Sequence, residues 1–405
     1  MACPRKRCSR LGIAASFCIG GYVLIAFTLI RRPINDFTEE FQIHDRQRWQ
    51  REIEDQQSFQ LKNLRHNTTV ADAARWVLHA PKIAPVFYEK NRPPNITVPI
   101  KHKCSKWFEA TFEDNLRVIS GYLSKHMTTF PPMNRPTMEM MSFPVIVTAC
   151  SHDFFHVSEG LLKSIDNLIL PKYPDLKLFY YDLGLHEQDI KTIESGCKFC
   201  TVIKFDFQKY PQHVQHLKFY AWKPLIVREV MQNYSWVWWM DSSARILRND
   251  TELDRALQYS KENSILFFTY GETLAVARHT HKGTMSILEE DYCKFRYFGE
   301  IEASFVLFHF DSVSSLVVDK WSACASLDQC MNPRDAKLSC HHISRPSDGQ
   351  CHRYDQSVLS ILLRRLYHDS NDYPLVSVPI RIHELRRGSV EHYFSRLSPK
   401  KRAEI

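Results

Sequence analysis

Residues 143–385 predict an α/β domain with a mostly parallel sheet and helices on both faces, and three observations carry that expectation. Short apolar runs alternate with amphipathic segments of helical length. The runs are almost continuously apolar, as in strands covered on both faces. Polar and charged residues gather just after the runs, at the strand ends where open α/β sheets hold ligands.

The predicted strands are 144–149 (PVIVTA), 176–182 (LKLFYYD), 201–205 (TVIKF), 236–241 (WVWWMD), 265–270 (ILFFTY) and 304–310 (SFVLFHF). Between them the apolar periodicity predicts helices over 156–167, 187–195, 222–232, 251–259, 312–324 and 356–368. The tryptophans at 236, 238 and 239 read as core packing. Arg364 and Arg365 read as the solvated face of the last helix.

The chain has 405 residues, 44% hydrophobic and 24% charged, with a net charge of +8. Arg5, Lys6, Arg7, Arg10, Arg31 and Arg32 lie within residues 1–32, which contain no acid, leaving residues 33–405 with 47 basic against 45 acidic side chains. A phosphate-backbone binder needs its basic excess on the folded part, so no nucleic-acid partner is expected. With 12 glycines, 20 prolines and no repeat period, collagen-like, low-complexity and solenoid classes are excluded as well.

Those basic residues flank 11–30 (LGIAASFCIGGYVLIAFTLI), a stretch without charge. At about 1.5 Å rise per residue it reaches across the roughly 30 Å of a bilayer core. The heavier basic cluster precedes it, which predicts a cytoplasmic tail (1–10), a single transmembrane signal anchor (11–30) and a lumenal remainder in type II orientation. A cleaved signal is the competing reading, but no small-x-small cleavage site follows the apolar run. Residues 31–142 form a stem and lead-in, 143–385 the main domain and 386–405 a basic tail. The stem is polar, and self-association along Phe41, Trp49 and Phe59 into a homodimer is its sharper reading.

Four sequons follow the anchor, at Asn67, Asn95, Asn233 and Asn249. So do nine cysteines (104, 150, 197, 200, 293, 324, 330, 340 and 351), which suits an oxidising compartment and leaves at least one thiol free or paired with another chain. Cys197-Lys-Phe-Cys200 leads into a strand rather than opening a helix. The late cysteines, with His341 and His342 among them, lack paired spacing. Structural disulfides are therefore expected over a redox pair or a zinc cluster, with connectivity open.

Three strand ends carry candidate chemistry: Cys150-Ser151-His152-Asp153, Asp182-Leu-Gly-Leu, and Met240-Asp241-Ser242-Ser243-Ala244-Arg245. The last places a carboxylate where buried backbone meets solvent, a seat for a divalent metal holding a diphosphate. The plainer alternative is that Asp241 caps a turn. His152 and Asp153 similarly either contact a nucleotide base or cap the helix before His156.

Leu217-Lys218-Phe-Tyr-Ala221-Trp222-Lys223-Pro, followed by Trp238-Trp-Met-Asp241-Ser-Ser243, resembles the K-x-x-A-W-x-L … Y-L-D-A-D segment of GT-A-fold glycosyltransferases, with family 8 (glycogenin-like) enzymes the nearest comparison. Glu302-Ala-Ser-Phe-Val-Leu-Phe is similar to their F-N-x-G strand, and Tyr354-Asp355-Gln356-Ser-Val-Leu359 to their D-Q-x-x-L-N helix start, in order across residues 143–370. The chain also resembles an uncharacterised, invertebrate-expanded group of type II membrane proteins with a D-[ST]-S-x-R motif. The resemblance implies a GT-A-like, Rossmann-type domain in the Golgi membrane that takes a nucleotide-sugar donor and a glycan or glycoprotein acceptor, with retention of configuration. By position, Lys218 and Ser151 would contact the donor, and Asp241 and Ser243 would occupy the DxD metal positions. Asp355 and Gln356 would face sugar or acceptor, and Mn2+ would be the metal.

The departures matter chemically. Ser243 replaces the second acid of DxD, and a hydroxyl is a poorer ligand than a carboxylate. Arg245 offers direct neutralisation of a diphosphate instead. Glu302 replaces the family's asparagine as a candidate acid/base. His383 is the candidate late metal ligand, with His309 and His392 as alternatives. The leading expectation is glycosyl transfer. A catalytically silent, membrane-tethered glycan or nucleotide binder on the same fold is the alternative, and a disulfide-rich adhesion receptor suits the cysteines but not the α/β pattern.

Overall fold

The computed structural model describes Cys104 and residues 107–126, 130, 133, 142–270, 274–339, 347–368 and 382–397, all in one compact unit, Pro81–Ile405. The segment 11–30, the stem before Cys104, and Asn67 and Asn95 lie outside the described residues. No helix among those described is long and apolar enough to cross a membrane.

The strands are β1 (Val145–Cys150), β2 (Leu178–Asp182), β3 (Cys200–Lys204), β4 (Trp236–Met240), β5 (Ala244–Ile246), β6 (Ile265–Leu266), β7 (Phe305–His309) and β8 (His383–Leu385). Six of them form one sheet in the order β3-β2-β1-β4-β7-β6, and β5 and β8 pair separately. β1 is parallel to β2 and β4, and β2 to β3. β7 runs antiparallel to both of its neighbours, so it alone is reversed. The expected mostly parallel sheet is therefore present. Every residue of β1 and β4 is buried, the reason their sequences are apolar throughout rather than alternating.

The helices are α1 (Phe112–Gly121), α2 (Phe155–Leu168), α3 (Glu187–Gly196), α4 (Trp222–Met231), α5 (Thr251–Glu262), α6 (Lys282–Ile287), α7 (Tyr292–Phe295), α8 (Ser312–Ala325), α9 (Asp328–Met331), α10 (Asp355–Leu366) and α11 (Tyr393–Arg396). After β1 the chain winds outward through β2 and β3, then returns to place β4 on the other side of β1. With right-handed crossovers this sets α2 and α3 on one face and α4 on the other, and makes the C-terminal ends of β1 and β4 the topological switch point, the place of the ligand crevice in open α/β sheets.

Several expectations need correction. The run 265–270 is a strand only at Ile265–Leu266. Beyond it the backbone bonds leave β7 for residues 300–302, with Tyr270 N–H donating to Glu300 O and Glu302 N–H to Phe268 O. Neither His152 nor Asp153 caps the helix before His156: α2 starts one residue earlier, and its N-cap, Phe154, makes no side-chain cap bond. Arg364 and Arg365 are not a solvated face but 2% exposed each. Arg364 donates to Gly299 O, and Arg365 pairs with Glu290 and donates to Asn115 Oδ1 at 3.1 Å. Their charges are tolerated inside because Arg365 meets a carboxylate and Arg364 places Nε and Nη2 on a backbone carbonyl.

The lead-in joins this core. Thr111 Oγ1 accepts Asp114 N–H to cap α1, Lys320 Nζ donates to Tyr122 O at 2.8 Å, and Cys104 is bridged to Cys293. Cys197–Cys200 and Cys324–Cys330 are also disulfides, Cys351 is disulfide-bonded, and Cys150 is a buried free thiol. Residues 386–397 fold back onto α2: Lys163 pairs with Glu391 at 2.9 Å, and Glu159 Oε2 accepts Phe394 N–H at 2.9 Å. Asn233 and Asn249 are exposed, as glycosylation acceptors must be.

Candidate active site

Asp241 leaves the buried β4 at the crevice and is held on both sides. Its N–H donates to Ser304 O at 2.8 Å, and its carbonyl accepts Ala244 N–H at 2.8 Å, closing the turn into β5. Its Oδ1 accepts Trp239 Nε1–H at 2.8 Å. The same oxygen lies 3.0 Å from Lys223 Nζ, and that ammonium lies 2.8 Å from Asp355 Oδ2. Lys223 comes from the second residue of α4 and Asp355 from the first of α10, so three elements meet at one cation.

Lys223 and Asp355 are each only 3% exposed. Burial by itself would lower the lysine's pKa, but the Asp241 and Asp355 carboxylates outweigh it and hold the ammonium well above its ordinary range. Burial pushes Asp355 upward, opposed by Lys223. The rings of Tyr220 and Trp239 flank the ammonium at 5.6 Å each, a cation–π setting. Tyr220 and Tyr354, the residues that present Lys223 and Asp355, both have positive φ, +54° and +48°, so strained backbone borders the ion cluster on two sides.

A second pair lies beside it. His383 Nε2 is 2.7 Å from Glu302 Oε1, which also accepts Ser304 Oγ–H at 3.2 Å. The His383 ring stacks on Phe305 at 3.7 Å and meets Phe268 edge-on. Its Nδ1 is buried with no partner among the described residues, as is Gln356 Nε2.

The sequence-predicted residues divide accordingly. Asp241 and Asp355 are brought together, but through Lys223, which sequence reasoning quoted and did not assign. Lys218 is exposed on the turn Leu217–Phe219, and it is the neighbouring lysine that reaches the carboxylates. Glu302 and His383 meet each other. Arg245 is not free to neutralise a diphosphate. Its guanidinium donates to the carbonyls of Ser242, Ala244, Val157 and Ser389 and lies 3.6 Å from Glu391. Ser151 and Ser243 are half-buried, Ser151 without a capping bond. Arg387, unassigned in sequence, is exposed after β8, and its charge acts on both Tyr220 and Tyr270. The signal for Lys223 was a lone cation inside the otherwise apolar segment WKPLIV. For Arg387 there was none beyond a local basic pair.

The donors do not form a divalent-metal set. Asp241 Oδ1 is shared by an ammonium and an indole N–H, the next position is a hydroxyl, and His383 Nε2 faces Glu302. Neither Asp241 nor His383 belongs to any of the three groups, among the described residues, in which three metal-capable atoms lie within 4.8 Å of one another. The positive charge built into this crevice is Lys223.

Residues 101–228 match the family described as a protein of unknown function (DUF1647). No curated protein matches the chain. Among solved structures it is similar to the galactosyltransferase LgtC in complex with donor and acceptor sugar analogues, at 16% identity and TM-score 0.30, over 44% of this chain and 59% of that one, under two thirds of its length. It is similar also to the mannosyltransferase Ktr4p of S. cerevisiae in complex with GDP (8% identity, TM-score 0.35, over 74% of this chain and 82% of that one). A third is mouse xyloside xylosyltransferase 1 (12%, TM-score 0.35, over 56% and 82%).

Proposed function

We propose that this chain is a glycosyltransferase that moves a sugar from a nucleotide-sugar donor to a lumenal glycan or glycoprotein, anchored in the Golgi membrane by 11–30 in type II orientation. The observation that carries the reading is the Asp241–Lys223–Asp355 cluster at the switch-point end of a mostly parallel sheet, with Lys223 and Asp355 buried, Asp241 partly open and the two aspartates on motif positions. In the reaction the bond between the anomeric carbon and the diphosphate oxygen breaks, the acceptor hydroxyl oxygen bonds to that carbon, and its proton passes to the departing diphosphate. Lys218, Arg387 and the hydroxyls of Ser151 and Ser243 are the donor-side groups in this reading. Asp355, Gln356 and Glu302 face the sugar and acceptor, and Lys223 keeps the two aspartates oriented. Mn2+ on Asp241, which the motif resemblance implies, has one acidic ligand there rather than two.

Nucleoside diphosphate binding and sugar transfer by the full chain test the reading. The isosteric Asp241→Asn is expected to lose transfer by at least about 100-fold while keeping its melting temperature. Unchanged transfer would remove the site. The engagement of Asp241 Oδ1 by Lys223 and Trp239 favours a second reading, a silent binder on the same fold. Diphosphate binding without transfer from any UDP- or GDP-sugar would select it.

A further inference from the structure

We propose that His152, His186 and Asp189 form a binding site for a transition-series dication of the Zn2+ class, built from residues that the Asp241 crevice does not use. β1 and β2 are parallel neighbours with Cys150 opposite Asp182, so the turns that follow them emerge side by side. His152 stands on the first turn and His186 ends the second.

The turn after β2 is held rigidly. Asp182 Oδ1 accepts Gly184 N–H at 2.7 Å and Leu185 N–H at 2.6 Å, and Gly184 O accepts His152 N–H at 3.0 Å. Gly184 takes a φ of +121°, which a side chain would strain. The two imidazoles consequently lie face to face, ring centres 3.5 Å apart and 20° from parallel. Asp189, 6% exposed in the first turn of α3, receives His152 Nδ1 at 2.6 Å and His186 N–H at 3.0 Å, both on Oδ2.

One ligand atom from each of the three residues lies within 4.8 Å of the others. Two imidazoles and a carboxylate are a donor set for Zn2+, Co2+, Ni2+ or Cu2+ rather than for Ca2+ or Mg2+. Such an ion needs donors about 2.0–2.2 Å from itself, hence roughly 3 Å apart. The His152–Asp189 contact must open by a few tenths of an ångström to admit the ion, with the imidazole proton carried on the ring nitrogen that does not face it. Both imidazoles are exposed and can turn without unpacking the core.

The group His156, Glu159 and His392 is the internal comparison. Glu159 has both carboxylate oxygens in use, Oε1 on His156 Nδ1 at 2.7 Å and Oε2 on Phe394 N–H at 2.9 Å. An ion there would have to displace His156 from Oε1 beside an Oε2 already committed to the C-terminal segment.

The test is Co2+ titration of the full chain after chelation, followed by the visible d–d absorption and by competition with Zn2+. One equivalent should bind, Zn2+ should displace it, and Asp241→Asn should leave the band unchanged. His152→Ala with His186→Ala should abolish the band, and Asp189→Asn should weaken binding by about tenfold or more. Melting temperatures in chelator check that each variant still folds. No band in the wild type, a band that survives the double substitution, or a band lost on His392→Ala would each overturn the proposal.

Discussion

Lys223 shows how much one buried side chain organises. Its ammonium is the partner of both Asp241 and Asp355, so Lys223→Met leaves a carboxylate inside with no counter-charge. A loss of about 3–5 kcal/mol is expected in urea unfolding. Asp355→Asn in the same chain should recover part of it. Because burial raises Asp355, the deficit of Lys223→Met should be smaller at acidic pH and grow as pH rises and the stranded carboxylate ionises. Since the crevice's built-in cation is this lysine, chelating divalent metals should lower transfer less than Lys223→Met does. His352 carries the opposite pH signature. It is fully buried, donates Nε2–H to Met331 O at 3.1 Å and accepts His281 N–H on Nδ1 at 3.3 Å, so its neutral tautomer uses both nitrogens. Burial lowers its pKa to about 3. A depressed histidine contributes stability that is complete above the unfolded value near 6.5 and lost as pH falls from there toward 3. At pH 5 the loss is roughly 2 kcal/mol, and His352→Gln should flatten that slope in pH-dependent denaturation.

At the scale of elements, α2 and β5 touch through a glycine. A Cβ on Gly160 would lie 2.2 Å from Arg245 Nη2, and that guanidinium is held by four carbonyls and cannot retreat. Gly160→Ala should destabilise by about 1–3 kcal/mol from overpacking, against a gain of up to about 1 kcal/mol in helix propensity. The measurement is a thermal melt, and an unchanged or raised midpoint would show that the contact relaxes freely. Elements were readable where one physical signal dominated. β1 and β4 are continuous apolar runs, and α8 follows Asp311, whose Oδ1 accepts Val313 and Ser314 N–H. The short β5 and β8 were not readable, because ARI and HEL carry no periodicity and become strands only by pairing with each other. Arg364 and Arg365 misled for the same reason: the acceptors Gly299 O and Glu290, which permit their burial, lie far away in sequence.

The molecule as a whole is closed by long-range links. Cys104–Cys293 spans 189 residues and fastens the lead-in to the main fold. Chain-entropy reasoning gives such a loop roughly 5 kcal/mol, so the paired Cys104→Ser and Cys293→Ser substitutions should lower unfolding stability on that order. Cys150 should resist thiol reagents until the protein unfolds, because burial pushes its pKa to about 12 and Tyr180 OH lies 2.7 Å away.

Local chemistry was enough to determine the class of sheet, most helix positions and the presence of disulfides, and to nominate the aspartates, since each follows from periodicity, spacing or residue type along a short stretch. Which cation meets those aspartates, which arginine is locked into the scaffold and which histidines stand face to face depended on elements brought together from distant parts of the chain. Only the folded packing decides that, because a side chain's charge state and partners are set by what surrounds it in space.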